Sequence, residues 1–394
     1  MHCSTKGGSI MAYDFGFFLP TQIRFGRGVV KEIGEEIKAR GLEHPMIVTD
    51  GGIIKTGIAG QIMEYIEKSG LKCTLYDGIV PNPRDKDCDR GAEAAIEAGA
   101  DVLIAIGGGS SMDTAKAMAT VMTNGKTSRD WFEVPLDVQS TPVICIPTTC
   151  GTGSEVTFNA VITNTDTHLK GNIFDPKCAP VLAMVDPDMI NGLPGSLIAS
   201  TGVDALTHAI EAYVATVATP MTDALSSYAV KLIGENIVKA AIDREPEAME
   251  AVLLASMMAG AAFGNADTAA VHCIAECFGG FYDIPHGVTN SIFLADVSEF
   301  SIPGNPKKYA DVARFLGVDT EGKSDQEAAH EGVDVIRKIC MDLGIPKLSS
   351  FEAIDPKDFE YLAEASSKHI CNPHNPIEAT KEQYLEIFMK VYNA

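Results

Sequence analysis

Residues 101–116 read DVLIAIGGGSSMDTAK, and the fold turns on this stretch. Asp101–Ile106 is an apolar run that predicts a buried strand. Gly107, Gly108 and Gly109 follow at once, and a helix opens with Ser110, Ser111 and Asp113, expected to run from Met112 to about Met122. Glycines let a backbone come close to a phosphate, and a helix N-terminus supplies free N–H groups and a partial positive charge. The unit reads as a diphosphate cradle of the doubly wound style, without the GxGxxG spacing. The plain alternative is a tight strand-to-helix turn.

Outward from this turn the pattern repeats. Pro45–Thr49 (PMIVT) reads as a strand ending at Asp50, and Ile58, Ile62 and Ile66 fall on one face of a helix that Gly70 stops. Pro142–Ile146 and Val181–Val185 read as two more strands. Apolar strands joined by helices predict a parallel sheet covered on both sides. A second loop, Pro147–Glu155 (PTTCGTGSE), also follows a strand; its hydroxyls and glycines suit ribose, phosphate or carboxamide. Ligands in open α/β sheets sit at strand carboxyl ends, so two such loops side by side point to a ligand rather than to two ordinary turns. Asp50 is placed to accept from ribose hydroxyls and to repel a 2′-phosphate, which favours NAD over NADP; a solvated turn residue is the other reading.

The texture changes at Leu193-Pro194-Gly195. Long helical stretches follow, over 198–216, 220–241, 247–263 and 269–278, with more to the C-terminus. The expected organisation is an N-terminal extension over 1–12, disordered; a Rossmann-like α/β dinucleotide-binding domain over 13–194; and an all-α metal-binding and substrate domain over 195–394. The cleft between the last two is the natural place for a site.

Acidic residues outnumber basic ones 53 to 31, a formal net charge of −22, which argues against nucleic acid or anionic membrane as partner. It also repels an anionic cofactor, so local donors must draw one in. The ten cysteines form no regular framework and no CxxC, which predicts a reduced, cytoplasmic compartment. The N-terminus carries no apolar run of the signal-peptide kind. The longest apolar segment, 251–263, is short for a membrane span and reads as a buried helix.

In TGVDALTHAIEAY (201–213), Asp204 and His208 stand four apart on one helix face, among alanine, leucine and isoleucine. His272 and His286 follow in VHCIAECFGGFYDIPHG. Each histidine alone is compatible with a hydrogen-bonded structural residue. Together, one carboxylate and three imidazoles make a four-ligand set for a divalent metal, and the chemistry accepts Fe(II), Zn(II) or Mn(II).

GGGSSMDTAKA, PTTCGTGSEVT, TGVDALTHAIEAY and FGGFYDIPHGVTN, in this order and spacing, resemble the iron-containing (group III metal-dependent) alcohol dehydrogenases, from about Tyr13 onward. The resemblance implies the dehydroquinate synthase-like two-domain fold, NAD and a metal, iron before zinc or manganese, and a homodimer or larger assembly. Carried over, the ligands fall on Asp204, His208, His272 and His286. Cofactor contacts fall on Asp50, Gly107, Gly108, Gly109, Ser110, Asp113, Thr148, Thr149, Thr152, Ser154, Val161 and Lys170. Asn159 and Phe263 match substrate-pocket positions.

Two positions depart from the pattern. Glu276 stands where most relatives carry a second histidine, one turn from His272. It is expected either to move protons, if burial raises its pKa, or to be structural while water or the ribose carries the proton. Near the C-terminus, Ile377 replaces an arginine, and Lys368 and His369 precede Cys371. That pair suggests a short aldehyde with an anionic group, such as sulfoacetaldehyde reduced to isethionate. Neutral C2–C4 aldehydes and succinic semialdehyde are the alternatives. A dehydroquinate synthase-like lyase and a non-catalytic NAD-binding protein are more remote readings.

Overall fold

Six parallel strands make the main sheet of the computed structural model, which describes residues 14–80, 82–167 and 170–394. The expected extension over 1–12 lies outside the described residues. In chain order the strands are β1 (Gln22–Phe25), β2 (Pro45–Asp50), β3 (Thr74–Ile79), β4 (Val102–Gly107), β5 (Val143–Pro147) and, after a separate antiparallel hairpin of β6 (Asn159–Thr163) and β7 (Lys170–Phe174), β8 (Leu182–Val185). The order across the sheet is β1-β8-β5-β4-β2-β3. The chain leaves β2 for β3 on one flank and returns to β4 on the other, so the order reverses between β2 and β4. The crevice at their carboxyl ends is the switch point where such folds bind ligands, and Asp50 and Gly107 end those two strands.

Alternation along the strands builds two cores. Ile47, Ile104, Ile106, Ile144 and Ile146 face α1 (Ile33–Ala39) and α3 (Ile58–Lys68), where Ile62 and Ile66 are fully buried as their spacing predicts. Met46, Val48, Leu103, Ala105 and Cys145 face α4 (Asp85–Glu97) and α5 (Gly109–Asn124). The short helix α2 (Gly51–Thr56) completes this half. α5 starts at Gly109, earlier than the expected Met112, because the glycine turn is tighter than the apolar pattern suggests.

The second half is helical: α6 (Gly195–Val214), α7 (Pro220–Val238), α8 (Pro246–Ala266), α9 (Ala270–Tyr282), α10 (His286–Ser301), α11 (Pro306–Phe315), α12 (Asp325–Asp342), α13 (Phe359–Ser367) and α14 (Lys381–Tyr392). α6 is apolar nearly all round and packs on α7, α8 and α10, which makes it the central helix. α8 extends beyond the apolar run that predicted it. It is long and apolar enough to cross a membrane, but 61% of its most apolar window is buried inside the fold, as in a core helix.

Candidate active site

Because α6 is central, its polar residues are buried with it. Asp204 and His208 lie one turn apart on α6, His272 lies in the first turn of α9, and His286 opens α10. Their ligand atoms all lie within 4.8 Å of one another; His286 is half-buried and the other three are buried. His272 Nδ1 lies 2.6 Å from Glu211 Oε2, so it donates there and leaves the Nε2 lone pair facing the quartet. The Asn290 amide nitrogen lies 2.6 Å from Asp204 Oδ1 and 3.2 Å from the Nε2 atoms of both His272 and His286. Two amide protons face three acceptors, and the surplus lone pairs suit a cation. The His208 ring stacks on Phe263 with centroids 4.3 Å apart.

Burial pushes the His208 imidazole down to about 3 against the pull of Asp204. Burial, and then the Lys170 ammonium, hold His286 well below the usual range. For His272 burial lowers the pKa, but the Glu211 carboxylate more than reverses this and the net shift is upward. Neutral His208 and His286 are in the state that ligates. The donor set, the neutral rings and the oriented His272 fit a divalent metal.

The quartet opens on a cavity of about 550 Å³ that runs to the glycine turn. Among the expected residues its wall includes Gly109, Ser110, Asp113, Thr152, Ser154, Asn159, Val161, Lys170, His208, Phe263, His272, Glu276, His286 and His369. Asp50, Gly107, Gly108, Thr148 and Thr149 lie behind it at the strand ends, and Asp204 is buried below. A Cβ on Gly109 would come within 2.9 Å of the Thr152 side chain, so glycine there brings the two loops together. Gly153, with φ +57°, lies against the backbone of Gly260 on α8; a Cβ would clash there at 2.4 Å. That close approach wedges the Pro147–Glu155 loop between sheet and helices.

Two expected cofactor contacts are already engaged. Asp50 Oδ1 caps α2 by accepting from the N–H groups of Gly52 and Ile53, and Oδ2 is the oxygen turned toward Gly107. Asp113 Oδ1 accepts from Ser154 Oγ at 2.6 Å, and Oδ2 accepts from Val161 N at 3.2 Å. Lys116, 0% exposed, completes this network by donating to Ser154 Oγ, Thr157 Oγ1 and the Asn159 carbonyl at 2.7, 3.1 and 2.9 Å.

At the substrate end the structure corrects two expectations. Lys368 is turned to solvent, 72% exposed and paired with Glu364, and it is not on the cavity wall. It stands at the C-cap of α13, where its i,i+4 acid draws it outward. Glu276 is not held protonated by burial: burial raises its pKa, but His369 Nε2, 2.9 Å from Oε2, more than reverses this and keeps it a carboxylate. His369 is raised in turn; burial opposes the shift and the Glu276 carboxylate outweighs it. His369 Nδ1 accepts from the Cys371 N–H at 3.3 Å, which leaves Nε2–H for Glu276.

Sequence reasoning missed Glu211, Asn290 and Lys116. Two of them carried a signal. Glu211 continues the Asp204–His208 face at i+7 from Asp204, and Asn290 stands one turn beyond His286. Lys116 carried none, since its partners lie 38 to 43 residues away.

A doubly wound sheet whose ligand crevice meets a largely buried Asp–His–His–His quartet in a helical bundle defines a metal-dependent dinucleotide dehydrogenase. Comparison with known proteins narrows this. The signature of the iron-containing alcohol dehydrogenases matches residues 20–187, and that of the Fe-containing alcohol dehydrogenase C-terminal region matches 198–392. Lactaldehyde reductase of Escherichia coli K12 is 38% identical over 368 residues, 92% of this chain and 96% of its own. The NAD-dependent methanol dehydrogenase of Bacillus methanolicus is 37% identical over 94% of this chain and 98% of its own. Among solved structures, a 1,3-propanediol oxidoreductase superposes with TM-score 0.93 at 33% identity, covering 96% of this chain and all of its own. The sulfoacetaldehyde reductase of Bifidobacterium kashiwanohense in complex with NAD+ superposes with TM-score 0.88 at 27% identity, covering 97% and 100%. The chain belongs to the iron-containing alcohol dehydrogenase family. It is an alcohol–aldehyde oxidoreductase whose cofactors are NAD and a divalent metal of the iron type.

Proposed function

We propose that this chain interconverts a short, uncharged aldehyde and its alcohol at the Asp204–His208–His272–His286 centre. The observation that carries the reading is that one cavity joins this quartet to the glycine turn and to the Thr152–Ser154 loop. Bound there, the metal supplies Lewis acidity toward the substrate oxygen and the nicotinamide supplies hydride exchange at the adjacent carbon. The chain's residues do the rest. The α5 N-terminus and the Ser110 and Thr152 hydroxyls bind the dinucleotide diphosphate. Phe263 holds His208 flat and excludes water beside it. Glu276 and His369 hold a proton between Oε2 and Nε2 on the wall, one turn from His272, where the alcohol proton is taken up or released.

An uncharged substrate is favoured because the anion-binding role of Lys368 is gone, while Asp113, Glu133, Asp267 and Glu276 lie on the wall beside Lys170, the one lysine there among the described residues. The relatives that reduce lactaldehyde or act on 1,3-propanediol support a small hydroxyl-bearing aldehyde. One observation favours the anionic reading: the Lys170 ammonium faces the cavity, so sulfoacetaldehyde stands second, with succinic semialdehyde beside it. NADH oxidation by iron-loaded protein across lactaldehyde, 3-hydroxypropanal, butyraldehyde, sulfoacetaldehyde and succinic semialdehyde decides between them. The uncharged aldehydes are expected to give the higher kcat/KM; a sulfonate preference of tenfold, about 1.4 kcal/mol, reverses the reading. A reducing, cytoplasmic setting and a homodimer or larger assembly are part of the proposal. The nine described cysteines are all free thiols, which supports the first.

A further inference from the structure

We infer that Glu211 is a positioning residue that fixes the tautomer of His272 and, with the same carboxylate, caps the helix that carries it; the inference rests on the quartet being the metal centre. Glu211 lies on α6, three residues past His208, and is 3% exposed. Its Oε2 accepts from Ala269 N at 2.8 Å and from His272 Nδ1 at 2.6 Å, and its Oε1 accepts from Val271 N at 2.6 Å. All three donors belong to the start of α9. That helix opens at Ala270 behind Ala269, which offers no side-chain cap of its own, so a carboxylate from another helix takes the place of the N-cap. Its negative charge is also favoured by the dipole at that end.

The two roles are coupled by geometry. An imidazole that donates through Nδ1 carries its lone pair on Nε2, and Nε2 is the atom near the Asn290 amide and the other ligands. The cap sets the position of α9, and the Nδ1–H bond sets the angle of the ring. Without Glu211 the ring is free to carry its proton on Nε2, toward the metal side, where ligation is blocked. Among the described residues, His272 is the one ligand imidazole with a carboxylate within hydrogen-bond distance of its Nδ1, so it is the ring held from behind by an acid.

The test uses the full-length protein with imidazole-15N histidine and measured divalent-ion affinity. In the metal-free wild type, measured at alkaline pH where the ring is neutral, His272, assigned by its loss in His272→Gln, is expected in the Nδ1–H form. In Glu211→Met, which keeps the chain length and removes both acceptors, His272 is expected to shift toward Nε2–H. Zn2+ and Fe2+ affinities, read by competition with a chromophoric chelator, are expected to fall roughly 10- to 100-fold. Glu211→Gln keeps one oxygen that can face Ala269 N and His272 Nδ1, so it is expected to restore the tautomer and most of the affinity. A purely structural cap would lower the melting temperature of the variants and leave the tautomer unchanged. A wild-type His272 found as Nε2–H overturns the inference whether or not the variants fold. So does a Glu211→Met protein that binds within about threefold of wild type. A wild type that takes up neither ion overturns the metal reading itself, and this inference with it.

Discussion

Glu155 is 2% exposed in the loop between the sheet and α8, and burial pushes its carboxyl up to about 7, against an ordinary value of 4.5 and a partial counter-pull from Lys116. Between those two values the unfolded chain releases a proton that the folded chain keeps. The stability due to this group is therefore present in full below pH 4.5 and is lost as pH rises through 7. The loss is on the order of 3 kcal/mol at pH 8. Glu155→Gln cannot ionise in either state. Its urea midpoint is expected to match that of the wild type near pH 4.5 and to move ahead of it as pH rises to 8. Parallel pH curves for the two proteins would show that Glu155 keeps an ordinary carboxyl in the fold.

At the scale of elements, one ammonium joins three pieces of the cofactor side. Lys116 on α5 holds the Ser154–Thr157 turn and the start of β6, and Asp113 on the same helix holds Ser154 and Val161 from the other side. Lys116→Met fills the same space but leaves three acceptors without a donor, each costing about 1–3 kcal/mol when buried. The expected result is an NADH dissociation constant raised at least about tenfold, read by fluorescence titration, with metal content unchanged because no ligand lies on these elements. Loss of metal as well would place the effect in global unfolding. The same elements mark how far sequence carries. The cores of β2, β4, β5 and β8 were legible because apolar runs buried on both faces leave a clear pattern. β1 (QIRF) and the edge strand β3 (TLYDGI) were not, since they are short or largely exposed and carry no apolar run. The β6–β7 hairpin alternates too briefly to stand out. In the site, the i,i+4 pair Asp204–His208 announced the metal face, whereas the Glu276–His369 pair joins residues 93 apart and no local period encodes it.

The whole molecule carries a formal charge of −22, and its cavity does not reverse that sign: among the described residues, Lys170 is the only lysine or arginine on the wall, against Asp113, Glu133, Asp267 and Glu276. A dinucleotide diphosphate is itself an anion. In the proposed complex its holding donors are short-range, the N–H groups at the start of α5 and the hydroxyls of the two loops, which act within hydrogen-bond distance and are little affected by salt. The repulsion acts over longer distances and is screened by salt: the Debye length falls from about 30 Å at 0.01 M to about 8 Å at 0.15 M. Raising ionic strength over that range should therefore weaken the opposing term more than the holding one. NADH is expected to bind roughly two- to fivefold more tightly at 0.15 M than at 0.01 M, and faster in stopped-flow association, the reverse of the salt dependence of a basic anion site. Fluorescence titrations with a non-coordinating salt at constant metal loading measure this. Binding that weakens with salt would mean that Lys170 and the helix terminus outweigh the acidic field at the cavity, and that the net charge of the chain sets no barrier to its cofactor.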